Sequence, residues 1–310
     1  MTLHLVLACT KTKKTQPSPG LCLGSIPDQI AWEKRQDLWI DKITSVDGAP
    51  TCEAIDLYSG GGWRSLKELL KSNLCRGQVK TWICSAGYGF LCESERIKAY
   101  SATFALGECD SITKFKNLET QRGWWSRINQ KLDKKNPYKT ILDLVRENPL
   151  DCYLIAIPFS YLVVIQEDLA KMEKILGNER LIILQIGSRS VLKSINSVLN
   201  VDSRVIQILG GVLSSLYLRL VSHIICALGE NLPNFLEIRK LVMDLNSRIL
   251  KRNKKKGRKI ADEEVERLII EMVSAKQKRS ASLLLNELRN AGISCEQKRF
   301  HRIFNNVKGS

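Results

Sequence analysis

Four short β-type apolar runs, at residues 3–8, 79–84, 153–157 and 181–185, constrain the fold of this chain most. Each has the length of a single strand and reads as buried on both faces. Helical spacing fills much of the sequence between them. Residues 29–45 carry Ile30, Trp32, Leu38, Trp39 and Ile43, and further helical patterns cover 65–74 and 160–176. Strands that alternate with helices predict an α/β fold, a mainly parallel sheet flanked by helices. From about residue 210 the pattern turns wholly helical, with a buried helix over 212–228 and an amphipathic one over 234–250. A basic linker (251–259) follows, then helices over 262–273, 280–290 and 296–304, the last two separated by a turn at Ala291-Gly292. Helix, short Gly turn and basic helix predict a helix-turn-helix-like unit. The expected organisation is an α/β domain over 1–210 and a basic helical region over 211–310.

The charge is uneven along the chain. The total is +16, with a pI near 9.4. The excess is +6 over residues 1–150, zero over 151–230 and +10 over 231–310. A localised excess of this kind points to a polyanion, and nucleic acid is preferred over an anionic membrane. Ten cysteines include no C-x-x-C pair, and the three histidines are far apart, so neither a structural metal nor a cofactor is expected. No basic-then-apolar leader opens the chain, and Arg219 and His223 interrupt the longest apolar stretches. These features predict a reduced, cytoplasmic protein that spans no membrane.

Several segments could carry chemistry. The strand 79–84 ends at Ser85-Ala-Gly-Tyr-Gly89, where backbone can approach a ligand closely, so Ser85, Gly87 and Tyr88 are expected to wall a pocket. Tyr58-Ser-Gly-Gly-Gly-Trp-Arg64 opens a helix, and Ser59, Gly60, Gly61 and Arg64 could hold a phosphate there. The pattern lacks a closing Lys-Ser/Thr and is no P-loop. Cys9, Thr10, Lys11, Lys13 and Lys14 follow the first strand, where parallel sheets place functional loops. Tyr100, Ser101 and Thr103 crowd hydroxyls together, with Glu108 and Asp110 just beyond. Asp110 is the preferred carboxylate, because base excision needs one to stabilise an oxocarbenium-like sugar or to activate water. Glu93 and Glu95 read as an exposed pair at a helix start. Cys84 and Cys9 lack a neighbouring histidine and read as inert thiols. Trp124-Trp125 reads as packing in preference to base stacking. In the tail, Arg279, Arg289, Lys298, Arg299 and Arg302 alternate with Leu283, Leu284, Leu288, Phe300 and Phe304, one cationic face and one apolar face suited to phosphate contact. Lys134 and Lys135 extend the basic stretch around the tryptophans.

Leu57-Tyr-Ser-Gly60, Ser85-Ala-Gly-Tyr-Gly-Phe-Leu91 and the following Ile97 to Tyr100 resemble the YaaA (peroxide stress response) family. There a Tyr-Thr-Gly element precedes a Ser-Gly-x-Tyr-Gly-x-Leu turn and a Pro-Tyr element. The opening Cys9-Thr and Lys13, the Tyr100-Ser-Ala-Thr-Phe block with Asp110-Ser, the paired tryptophans and the closing Ser294-Cys-Glu-Gln-Lys-Arg-Phe300 are similar to YaaA-like bacterial proteins of the kind linked to phage defence. The chain departs from YaaA in lacking the Pro before Tyr100 and in its basic C-terminal unit. The resemblance implies a DNA-binding α/β protein whose relatives are associated with modified bases. It makes a DNA glycosylase for a modified base the leading expectation, acting on double-stranded phage DNA by base flipping. Asp110 would be its carboxylate, and Tyr100 and Thr103 would contact base or sugar. Lys13 would contact a phosphate or attack the sugar as a Schiff-base amine. The alternatives are a 7-deazaguanine-modifying enzyme and a non-catalytic DNA-binding stress protein.

Overall fold

A computed structural model describes residues 2–45, 48–72, 79–187, 192, 194–229, 234–249, 257–274 and 281–309. Its centre is strand β1 (Leu3–Ala8), buried at every position. β1 pairs in parallel with β2 (Val79–Ser85) on one side and β4 (Cys152–Ala156) on the other, Leu3 facing both Val79 and Cys152. β5 (Leu181–Ile186) and β6 (Val198–Val201) extend the parallel array beyond β4. β3 (Gly89–Cys92) folds back antiparallel on β2 and closes the other edge. The order across the sheet is β3-β2-β1-β4-β5-β6. Strand order therefore reverses between β1 and β4, the place where open α/β sheets form a crevice at their carboxyl ends.

Helices α1 (Trp32–Thr44), α2 (Gly61–Lys71), α3 (Leu118–Lys131) and α4 (Gln166–Arg180, broken at Gly177) cover the sheet. The expected helix over 160–176 is in fact two. A short turn of helix, Phe159–Leu162, stops at the β-branched run Val163-Val164-Ile165 before α4 begins. Not expected were the helices α3 and Ile141–Glu147, the back-folded β3, the edge strand β6, and an antiparallel pairing of Thr51–Glu53 with Arg96–Lys98. The Glu93 and Glu95 reading is corrected too. They follow β3 and start no helix, and Glu95 is buried, accepting hydrogen bonds from the backbone N–H groups of Lys135 and Asn136.

The chain divides into Met1–Ile249 and Leu250–Ser310, not at residue 210. The reason is packing. α5 (Leu216–Leu228) and α6 (Phe235–Ser247) bury Leu220, Val221, Ile224, Ile225, Ile238, Val242 and Leu245 in the core that also holds the sheet. The second unit has its own core, built from Ile260, Val265, Ile269, Leu284, Leu288, Phe300 and Phe304. Helices α7 (Asp262–Ser274), α8 (Ala281–Asn290) and α9 (Gln297–Gly309) supply it, and Arg258–Lys259 pairs with Ile293–Ser294.

His4 reports on the integrity of the central strand. Its Nε2 lies 3.1 Å from Asp151 Oδ2, and its Nδ1 accepts the indole N–H of Trp82 at 2.9 Å. That pairing requires a neutral ring protonated on Nε2. Burial holds its pKa below the usual imidazole range, against the pull of Asp151. The unfolded chain therefore binds the proton more readily, and stability should fall as pH drops below about 6.5. Thermal unfolding followed from about pH 8 to about pH 5 should show this fall, and His4→Gln should flatten it.

Candidate functional site

A cavity of about 330 Å³ opens at the carboxyl ends of β1 and β4. Ala8, Cys9, Thr10, Lys11 and Lys13 line it from the end of β1 and the loop after it. Ala156, Pro158, Ser160 and Tyr161 line it from β4 and beyond, and Ser214, Tyr217 and Leu218 from the start of α5. The segment 101–110 contributes Ser101, Thr103, Glu108 and Asp110. The topology explains the location: strands that diverge to opposite sides leave their terminal loops apart, and the gap between them is the cavity.

Lys13 is held from two directions. The loop's backbone is stitched to residues 57–59, Lys14 N–H donating to Leu57 O at 2.8 Å and Ser59 N–H to Thr12 O at 3.1 Å. The Lys13 amine donates to Thr10 O at 3.0 Å and lies 4.4 Å from the centroid of the Tyr100 ring. Burial pushes its pKa below the usual lysine range. Among the described residues no carboxylate lies within ion-pair distance of it. Beneath the cavity, the Tyr100 hydroxyl is 2.6 Å from Ser85 Oγ and 3.0 Å from the Tyr58 hydroxyl. Cys9 Sγ is 3.0 Å from the Tyr161 hydroxyl. Burial raises the pKa of Tyr58, Tyr100 and Tyr161 well above the usual phenol value, so all three remain proton donors near neutrality.

Asp110 is fixed as firmly. Its Oδ1 accepts the backbone N–H of Gly24 at 2.8 Å, and its Oδ2 accepts the Ser101 hydroxyl at 2.6 Å. Thr103 N–H donates to Asp110 O at 3.0 Å, which ties the two ends of the 101–110 segment together. Glu108 pairs with Lys11 at 2.8 Å across the mouth, both side chains well exposed. The cavity thus brings together Cys9, Thr10, Lys13, Thr103 and Asp110 of the expected residues. Tyr100, expected to contact base or sugar, is instead fully buried beneath Lys13, with its hydroxyl committed to Ser85 and Tyr58, and does not line the cavity.

The Gly-rich turn is a different matter. Residues 86–88 form the tight hairpin between β2 and β3, and Ser85, Gly87 and Tyr88 do not line the cavity. All three are buried. Ser85 Oγ accepts the N–H groups of Gly87 and Tyr88, which closes the turn. A Cβ on Gly87 would sit 2.5 Å from the Tyr100 ring, so the glycine admits an aromatic side chain of the protein itself. Ser59, Gly60 and Arg64 also lie outside the cavity, in a separate depression of about 370 Å³ shared with Lys14, Lys67 and Lys71 and with the carboxylates of Asp56 and Glu68. Gly61 is exposed at the start of α2.

Of the expected phosphate contacts, Lys134 is corrected most clearly. Its amine donates to Phe90 O and to Asn129 Oδ1, both at 3.0 Å, and burial lowers its pKa to about 8. It is an internal brace for β3. Lys135 is exposed. In the second unit Arg299 donates to Asp262 and to Ile260 O, Arg302 to the other oxygen of Asp262, and Arg289 to Cys295 O. Arg299 is therefore chiefly a tie within the unit. Lys298 is exposed, and Arg279 lies outside the described residues. The tryptophans pack as expected: both are buried, and the Trp124 indole donates to Ala86 O at 2.9 Å. Cys84 is fully buried, which raises its thiol pKa.

Tyr161, Ser214 and Tyr217 were not anticipated as site residues. Tyr161 follows β4 as Lys13 follows β1, and that correspondence was its sequence signal. Ser214 and Tyr217 reach the cavity only through the packing of α5. Among the described residues no cluster of His, Cys, Asp and Glu is suited to a metal, and no single helix is long and apolar enough to cross a membrane. No family model, curated protein or solved structure matches the chain.

Gly24 gives a direct test of how Asp110 is held. A Cβ there would lie 2.8 Å from Cys109 O and 3.0 Å from Asp110 Oδ1. Gly24→Ala should cost about 1–3 kcal/mol of stability in urea unfolding, because backbone must shift to admit the methyl.

Proposed function

We propose that the chain is a DNA glycosylase that receives a flipped, modified base in the cavity between β1 and β4. The observation that carries this reading is the presence of Lys13 and Asp110 in one cavity of about 330 Å³, in a chain of net charge +16. A cavity of that size falls in the range of small-ligand sites, about 300–1,000 Å³. A base stacked in a duplex is out of reach of such a site, so the nucleotide must turn out of the helix. The Asp110 carboxylate, already oriented by Gly24 and Ser101, then stabilises positive charge on the sugar as the bond to the base breaks. The hydroxyls of Thr103 and Tyr161 supply hydrogen bonds to base or sugar.

Two surface features fit a duplex partner. Ile208, Val212 and Leu213 are large apolar residues left exposed just before Ser214 and Tyr217, which line the cavity. Apolar side chains in that position wedge between base steps and fill the space that a flipped base vacates. Lys14 and Arg64 line the separate depression and would take a neighbouring phosphate. In the second unit, α8 and α9 would act as a helix-turn-helix-like pair, with the exposed Lys298 of α9 available for further phosphate contact. The resemblance to YaaA-like proteins points the same way. A deazaguanine enzyme acting through Cys9 is less well supported, since His4, the only histidine on β1, is committed to Asp151 and Trp82. A purely DNA-binding protein gives no reason for Lys13 and Asp110 to meet in one cavity.

The protein should release base from modified phage DNA and spare plain DNA, scored as strand breaks after alkali. Asp110→Asn should lower the rate on the order of 10²–10⁴-fold. Tight binding with no base released from any DNA would contradict the reading. Leu213→Ala should slow excision from duplex DNA at least several-fold and leave single-stranded substrate almost unaffected, because only the duplex requires a wedge. Equal losses on both would remove the wedge from the account.

A further inference from the structure

We propose that Lys13 is a carbonyl-reactive nucleophile, so that the site also cleaves the DNA strand at an abasic sugar through an imine on Lys13. The proposal rests on the reading of the cavity as a DNA site, and adds a second reaction to base release. Its support is the environment of one amine. Two lysines line the cavity, and they differ completely. Lys11 is exposed and paired with Glu108 at 2.8 Å, so its charge is both solvated and neutralised. Among the described residues Lys13 has one hydrogen-bond acceptor, the neutral Thr10 O, and the ring of Tyr100 beneath it. Its backbone is pinned on both sides by the bonds to residues 57–59, so the amine has little freedom to retreat into solvent.

A buried lysine without an acidic partner is the usual means of keeping an amine nucleophilic near neutrality, because desolvation disfavours the ammonium form. The direction of its pKa shift agrees with this. Lys134 provides the internal contrast. Burial lowers its pKa too, but its amine is used by Phe90 O and Asn129 Oδ1, and it lines neither the cavity nor the separate depression. Lys13, half-buried, combines a shift in the same direction with access to a ligand-sized space.

The chemistry balances without any oxidant or reductant. The neutral Lys13 amine adds to C1′ of the open-chain aldehyde of an abasic site, and loss of water gives a protonated imine. The imine draws electrons from C2′, whose proton passes to the Asp110 carboxylate in the same cavity. The electron pair left at C2′ forms a C2′–C3′ double bond and expels the 3′-phosphate by cleavage of the C3′–O bond. Water then hydrolyses the imine, which returns the amine and leaves an unsaturated aldehyde on the upstream fragment. Asp110 gives up its proton to solvent.

Trapping with cyanoborohydride on a duplex oligonucleotide that carries one pre-formed abasic site tests this directly. The full-length protein should form a stable covalent adduct, with the modified peptide identified by mass spectrometry as the one containing Lys13. Lys13→Arg should lower trapping at least 100-fold, whereas Lys174→Ala, at an exposed lysine of α4 outside the cavity, should trap within a few-fold of the parent chain. Adduct mapped to another lysine or to the N-terminal amine, or absent altogether, would overturn the proposal. Mapping on the parent chain makes the test independent of how well any variant folds. The pre-formed abasic site separates the two ideas. Trapping at Lys13 without base release from any DNA would sink the glycosylase reading alone, and base release without trapping would sink the imine alone.

Discussion

The ring of Tyr100 fills the space beside Gly87, and Lys13 Nζ lies 4.4 Å from its centroid. Its hydroxyl meets Ser85 at the end of β2 and Tyr58 beside the loop that carries Lys13. This single buried side chain therefore joins the β2–β3 hairpin, the 57–59 segment and the 10–14 loop. Without its packing the hairpin would lose its filling and Lys13 its support. The hydroxyls around it are satisfied by one another, as groups this deeply buried must be. The arrangement holds the amine in place at the edge of the cavity.

Asp110 is positioned by quite different means. It lies on an irregular segment, and its orientation comes from Gly24 N–H and the Ser101 hydroxyl. The two ionisable groups thus reach the same cavity from unrelated parts of the chain, one supported by an aromatic core and one by a loop-to-loop contact. Such convergence at a strand-order reversal is what the α/β topology makes possible. The cationic excess is distributed separately, with 16 Lys and Arg against 7 Asp and Glu over residues 250–310. Part of that charge holds the second unit together through Asp262, and only the remainder can face a polyanion.

The central sheet was legible in the sequence because its strands are continuous apolar runs, and all four that were expected form. Strands β3 and β6 were not, since Gly89–Cys92 and Val198–Val201 are too short to show a period and owe their existence to the neighbours they pair with. The site was legible in part. Cys9, Thr10, Lys13, Thr103 and Asp110 sit in polar clusters next to apolar runs, which is a local signal. The Gly turn gave the same local signal for another reason: its small residues accommodate Tyr100, a partner eleven or more residues away in sequence that no local pattern reveals. Lys134 and Arg299 misled in a similar way. A cation that braces a carbonyl or a carboxylate of its own unit looks, in sequence, the same as one that awaits a phosphate.

The central claim is that a nucleobase enters the cavity between β1 and β4, and a structure of the protein bound to duplex DNA tests it most directly. The duplex should carry a 2′-fluoro nucleotide at the target position, since the fluorine destabilises the oxocarbenium-like state and blocks base loss. The expected result is an extrahelical base between Thr103 and Tyr161, with its sugar beside Asp110 and Lys13 and Leu213 in the vacated step. A fully stacked duplex bound elsewhere, with the cavity free of nucleotide, would contradict the account.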